Sequence, residues 1–196
     1  MQVMATIDKE IIQKMQEISS TMFKKSFFGI FYGALSYRIH DSHFVINTAN
    51  TIFDNIKPSD FTILPHKRDY SWQEASLHSS VHSHIYKEIN AAKCIAYAMP
   101  PYITAYSMDN NVIIPRDYYS HVKKLKTIKI YDPKDFSTWN ERSDVEICNF
   151  LKKNKTNYML IKGYGIYIYH KDLLSLIKNI SLIENSVKLI TLSKNL

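Results

Sequence analysis

Residues 158–193 read YMLIKGYGIYIYHKDLLSLIKNISLIENSVKLITLS, and the hydrophobic period changes once within them. Tyr158–Ile161 and Ile166–Tyr169 are short runs of β-branched and aromatic residues about a Gly-Tyr-Gly turn, which predicts two strands. From Asp172 to about Ser193, Leu173, Leu176, Ile177, Ile180, Ile183, Val187 and Ile190 recur on one side of a helix. Two strands followed by a long one-sided helix call for a sheet that the helix can cover.

The rest of the chain supplies its strands. Residues 7–24 read as an amphipathic helix through Ile11, Ile12, Met15, Ile18, Met22 and Phe23, with Asp8 and Glu10 near its start, where the dipole favours acids. The stretches 29–39 and 43–48 flank His40-Asp41-Ser42 and predict a hairpin, without an Asn-Gly signal. Residues 61–64 add a strand after the Lys57-Pro58-Ser59-Asp60 turn. A helix is expected over 72–90, and a short apolar segment runs over 93–98. Pro100-Pro101 then suits the first turn of another helix. Residues 127–131, TIKIY, alternate as a strand, and 143–153 read as a helix with Ser143 and Glu146 at capping-box spacing. Strands and helices interleave, so the expectation is an α/β fold: a mixed sheet with helices on both faces. With no repeat, low-complexity segment or linker, residues 1–196 read as one domain.

Composition narrows the function classes. Hydrophobic residues make up 45% and charged residues 22%, as in an ordinary folded chain. The net charge of +7 favours acidic partners such as phosphorylated metabolites, nucleic acid or a membrane surface, but a scattered lysine surface is the plainer reading. The densest basic stretch is only Lys123, Lys124, Lys126 and Lys129. No RNA-recognition pattern, zinc-finger spacing or arginine-rich tract supports nucleic acid, which is not expected as a partner. Cys94 and Cys148 form no CxxC pair and read as reduced, buried thiols of a cytoplasmic protein. The amino-terminal segment lacks the continuous apolar core of a signal peptide, and no run of about 18 apolar residues exists, so no membrane association is expected.

Three stretches carry a resemblance. Gly33-Ala34-Leu35-Ser36-Tyr37-Arg38 is the first. Residues 76–108 follow, including Leu77-His78-Ser79-Ser80-Val81-His82-Ser83-His84-Ile85-Tyr86 and Tyr97-Ala98-Met99-Pro100-Pro101-Tyr102. Lys162-Gly163-Tyr164-Gly165-Ile166, succeeded by Lys171-Asp172-Leu173 and a long helix, is the third. In this order and over roughly residues 8–192, they resemble the class II aldolase/adducin family: its Gly-Asn-Ile-Ser loop, its active-site helix with the His-Thr-His-Pro-Pro-Tyr motif, and its Arg-Gly-His-Gly-Val turn. The resemblance implies a three-layer domain with a largely antiparallel sheet, a homotetramer with sites between subunits, and chemistry on phosphorylated sugars. It also implies a divalent metal held by three histidines, which polarises a carbonyl while a helix carboxylate moves a proton.

At those positions the sequence departs from the family pattern. The ligand histidines correspond to Tyr97, Met99 and Tyr164, and the acid/base glutamate to His78. Phenol ionises only near a pKa of about 10, and a thioether is a soft ligand. These side chains are expected to fill the metal's space, with no metal and no cofactor. The loop asparagine is Ala34, and the Thr-Pro-Ser-Gly turn corresponds loosely to Asn47-Thr48-Ala49-Asn50. A remnant anion site would draw on Gly33, Ser36, Thr48 and Ser76.

The singled-out residues admit two readings. His78 and His82 are four apart and would share a helix face. His78 could act as a metal-free acid/base with Tyr164 as acid, or both histidines could simply hydrogen-bond in a packed interface, which is favoured. His84 faces elsewhere, and Glu74 reads as a dipole partner near the helix start. Tyr97 and Tyr164 belong to a chain with 14 tyrosines, where a buried phenol with one partner is the commoner outcome. The expectation is a catalytically degenerate family member that binds a metabolite or serves a structural or regulatory role. The alternative is a sugar-phosphate aldolase, epimerase or dehydratase with a remodelled site.

Overall fold

The computed structural model describes residues 8–193. Ile7, where the first helix was expected to begin, and residues 1–7 of the segment considered as a signal peptide lie outside the described residues. Eight strands form one sheet: β1 Ala34–His40, β2 His43–Asn47, β3 Phe61–Pro65, β4 Cys94–Ala98, β5 Val112–Ile113, β6 Ile128–Tyr131, β7 Tyr158–Ile161 and β8 Gly165–His170. Their spatial order is β3-β2-β1-β4-β8-β7-β6-β5, and among the described residues only β6 and β7 pair in parallel. The helices are α1 Lys9–Lys24, α2 Ser79–Glu88, α3 Pro101–Asp109, α4 Asp117–His121, α5 Trp139–Asn154 and α6 Leu173–Ser193. This is the expected α/β class with a mixed, largely antiparallel sheet covered on both faces.

Alternation along the strands sorts the core into two layers. Leu35, Ala96, Ala98, Leu160, Ile166 and Ile168 pack with Met15 and Met22 of α1, Ile103 of α3, and Leu176, Ile180, Ile183 and Val187 of α6. On the opposite face, Ala34, Phe44, Ile46, Ile95, Tyr97, Met159 and Tyr167 meet Val81, Ile85 and Tyr86 of α2 and Trp139, Ile147 and Leu151 of α5. Cys94 and Cys148 are free and buried. Among the described residues no helix is long and apolar enough to cross a membrane.

Several boundaries differ from the sequence reading, each for a local reason. The first strand starts at Ala34 rather than 29, because Gly33 sits at φ +146°, where a Cβ would come 2.5 Å from a Phe28 ring carbon. The helix expected over 72–90 begins at Ser79. Tyr70–Glu74 form a 3₁₀ turn, with the Asp69 carboxylate accepting from Ser71 N at 2.9 Å. Residues 75–76 are then drawn onto the end of β2, where Ser76 N donates to Asn47 O at 3.1 Å and Thr48 bridges Ala75. Glu74 is therefore in the turn and not at the α2 start. Helix α5 begins four residues before Ser143, so Ser143 and Glu146 form no capping box. Glu146 instead pairs with Arg142 Nη1 at 2.6 Å and accepts from Tyr131 OH at 2.5 Å. β5 and α4, only 2 and 5 residues long, carry too little periodicity to be read.

Two contacts fix the centre. Gly165, at φ +126°, opens β8 where its Cα faces the Ala98 carbonyl, and a Cβ there would overlap that oxygen. The chain leaves β4 through Pro100 into α3, whose first N–H groups have no partners within the helix. Glu184, buried on α6, accepts from Tyr102 N and Ile103 N, both at 2.9 Å. A carboxylate from a distant helix thus caps α3, and the charge sits where the dipole favours it. Gly165→Ala is expected to cost about 3–5 kcal/mol, read from the urea midpoint; an unchanged midpoint would mean β8 can move away from β4. Glu184→Ala should cost about 2–4 kcal/mol by orphaning two N–H groups, and Glu184→Gln about half as much, since the amide keeps one acceptor. Equal losses for the two variants in the same titration would count against the capping role.

Candidate functional site

The family-motif positions converge at one end of the β4–β8 pair. Tyr97 lies opposite Tyr167 in the ladder, their ring centroids 4.9 Å apart. Period-2 alternation sends both rings to the α2/α5 face. Tyr164 sits in the β7–β8 turn, closed by its N–H on Ile161 O at 3.0 Å. The Tyr97 hydroxyl donates to the Tyr164 carbonyl at 2.8 Å. The Tyr164 ring packs on Tyr97 at 5.0 Å, stacks under Phe136 at 5.7 Å and meets Trp139 edge-on at 6.1 Å. Met99 is partly buried against the same cluster.

His78 closes the other side. Its imidazole stacks on Tyr97 at 4.0 Å, and its Nδ1 shares a hydrogen bond of 2.6 Å with the Tyr167 hydroxyl. It is the residue just before α2, and its carbonyl accepts His82 N at 3.1 Å. His78 and His82 both meet the Tyr167 ring edge-on, at 5.7 and 6.2 Å, although His78 itself precedes the helix. His82 is fully buried, its Nδ1 2.7 Å from Ser36 Oγ, which is also 2.8 Å from Tyr86 OH. His82 Nε2 has no hydrogen-bond partner among the described residues. His84 turns away towards Asp144 at 3.6 Å.

Burial sets the protonation of this cluster. It pushes the phenols of Tyr97, Tyr164 and Tyr167 up and holds them protonated. It lowers His78 to about 4 and His82 well below the usual imidazole value, so both are neutral at pH 7. The three positions that correspond to metal ligands thus offer two protonated phenols and a thioether, with one phenol committed to a backbone carbonyl. That donor set does not fit a divalent cation of the zinc type. Among the described residues, no group of three His, Cys, Asp or Glu side chains is placed to hold a metal ion.

The candidate anion-binding residues are only partly gathered. Thr48 and Ser76 come together at the end of β2, through the Thr48–Ala75 bridge and Ser76 N on Asn47 O. Ser76 is buried, and its Oγ accepts weakly from His78 N at 3.4 Å. The Thr48 hydroxyl pairs with Thr51 Oγ1 at 3.1 Å. Gly33 packs on Phe28 at the start of β1. Ser36 is not available to a ligand: it is fully buried, with its hydroxyl between His82 and Tyr86. Sequence reasoning missed Trp139 and Phe136, which flank Tyr164, because the expected helix began four residues too late. It also missed the Arg142 clamp on their loop, whose guanidinium donates to Pro133 O at 2.6 Å and Asp135 O at 2.5 Å.

Comparison with known proteins bears on the fold and the family. No curated protein matches the chain. Among solved structures, L-fuculose-1-phosphate aldolase from Thermus thermophilus is similar, with a TM-score of 0.83, 18% identity and 95% of each chain covered. A further L-fuculose 1-phosphate aldolase superposes with a TM-score of 0.77 at 16% identity, covering 96% of this chain and 88% of that one. YgbL from Escherichia coli gives 0.74 at 18% identity, with 93% and 89% covered. These likenesses concern the fold. The family model described as Class II Aldolase and Adducin N-terminal domain matches residues 13–191, and the chain belongs to that family.

Proposed function

We propose that this chain is a degenerate member of the class II aldolase/adducin family, without metal-dependent aldolase activity. It acts as a single cytoplasmic domain within a homotetramer, binding a phosphorylated metabolite or serving a structural or regulatory role. The observation that carries the reading is the stack of His78, Tyr97, Tyr167 and Tyr164, in which the ligand-position hydroxyl of Tyr97 is spent on a backbone carbonyl. A side chain that must lose a proton against its burial to bind a cation is a poor ligand. Thr48, Ser76 and the backbone at Gly33 are the residues we assign to a remnant anion site.

A second reading keeps an enzyme of sugar-phosphate metabolism. The 2.6 Å His78–Tyr167 hydrogen bond is the feature that favours it, since it orients a neutral imidazole. In that reading His78 is the base and Tyr164 the acid. The depressed basicity of His78 weighs against it, because a base of pKa about 4 gives little driving force for proton abstraction at pH 7.

Metal content by inductively coupled plasma mass spectrometry, on untagged protein prepared without chelator, is expected to show zinc, manganese and iron far below one per chain. Cleavage of L-fuculose 1-phosphate should be absent. Stoichiometric metal together with chelator-sensitive cleavage would overturn the first reading, and turnover lost in folded His78→Ala without metal would establish the second.

The neutral histidines also predict a pH dependence. His66 and His78 are held at about 4 and His82 is pushed well below its usual value by burial, all beneath the unfolded value of about 6.5. The unfolded chain therefore binds more protons across this window. The stabilisation is fully present above about pH 6.5 and is lost as pH falls towards 4. Scanning calorimetry from pH 7.5 to 5 should record falling stability, with about 1–2 kcal/mol of the loss removed in His78→Phe. A pH profile identical to the parent's would contradict a neutral, buried His78.

A further inference from the structure

A hollow of about 300 Å³ lies between α4 and the carboxyl-terminal turns of α6 and shares no residue with the Tyr97–Tyr164 site. Its walls include Tyr119, Leu189 and Ile190, and its rim carries Arg116 and Asp117. Those two opposite charges are neighbours in sequence, yet neither side chain makes an ion pair or hydrogen bond among the described residues. Ser186 lies behind the wall, 1% exposed, its hydroxyl shielded from the hollow and without a partner among the described residues.

We propose that this hollow binds a free apolar α-amino acid. The ligand's carboxylate would engage the Arg116 guanidinium, its ammonium the Asp117 carboxylate, and its side chain Tyr119, Leu189 and Ile190. The volume suits a side chain of leucine or phenylalanine size, at the small end of ligand pockets. A simple anion or fatty acid would pair with Arg116 but leave the Asp117 carboxylate without a cation. An amine would pair with Asp117 but leave the Arg116 guanidinium without an anion. A peptide carboxyl terminus would bring one charge where the rim offers two. Only a zwitterion with an apolar side chain satisfies both rim charges and the wall together.

The test is isothermal titration of the full chain with L-leucine and L-phenylalanine, alongside 4-methylpentanoate and 3-methylbutylamine, which lack the ammonium and the carboxylate respectively. The amino acids should bind saturably, and each analogue about tenfold or more weaker. Arg116→Gln and Asp117→Asn should each weaken leucine binding about tenfold. Asparagine is the chosen replacement because residue 117 sits at φ +45°, which it tolerates. Ser186→Ala serves as the control: its hydroxyl is shielded from the hollow, so leucine affinity should be unchanged, with the melting temperature unchanged or higher because an unsatisfied group is removed. The proposal is overturned if no amino acid gives saturable heat up to about 10 mM, if 4-methylpentanoate or 3-methylbutylamine binds as well as leucine, or if the rim variants, folded by circular dichroism, bind like the parent.

Discussion

The antiparallel pairing of β4 with β8 is the join on which the molecule depends. Strands β1–β3 come from residues 34–65 and β5–β7 from residues 112–161, and only this pairing makes them one sheet. It is locked twice. The Ala98 carbonyl lies so close to Gly165 that no side chain fits between them. Beyond the strands, α3 follows β4 and α6 follows β8, and Glu184 ties α6 to the first turn of α3. Moving either strand would break a backbone ladder, a helix cap and the packing of both core layers at once.

The same join explains the character of the candidate site. Strand alternation delivers Tyr97 and Tyr167 side by side on one face, and the tight β7–β8 turn brings Tyr164 against them. Three phenols, an imidazole and the Phe136–Trp139 edge fill the space at the strand ends. Each ring contributes buried area, and Tyr97, Tyr167 and His78 find hydrogen bonds within the protein. The chemistry of the cluster is that of a packed, neutral core: groups that would bind a cation are protonated, and groups that would take a proton are weak bases.

Much of this was legible because it rests on local signals. The period change at residue 170, the Gly-Tyr-Gly turn and the Pro-Pro helix start each constrain a few consecutive residues, and the structure contains all of them. Failures fall where distant contacts override propensity. Ala75 and Ser76 are taken from the expected helix by β2, and the position of Gly33 is set by Phe28. The candidate site was legible as a set of expected departures from the family pattern at Tyr97, Met99, Tyr164 and His78, which residue type alone marks. Its partners were not. That Tyr97 bonds a carbonyl, that His78 precedes α2, and that Ser36 faces His82 depend on where the chain folds back, which spacing does not encode.

The position of β8 in the chain also bears on how the protein is made. Ribosomal synthesis releases β1–β4 long before residues 165–170 exist, so β4 waits with one row of its N–H and C=O groups unpaired and both its faces apolar. An open apolar strand edge is a template for pairing with another nascent chain. The completed fold conceals its most adhesive strand in the middle of the sheet, and the polypeptide carries that strand uncovered from the release of residue 98 until residues 165–170 follow, the interval in which a holdase chaperone has the greatest effect on yield.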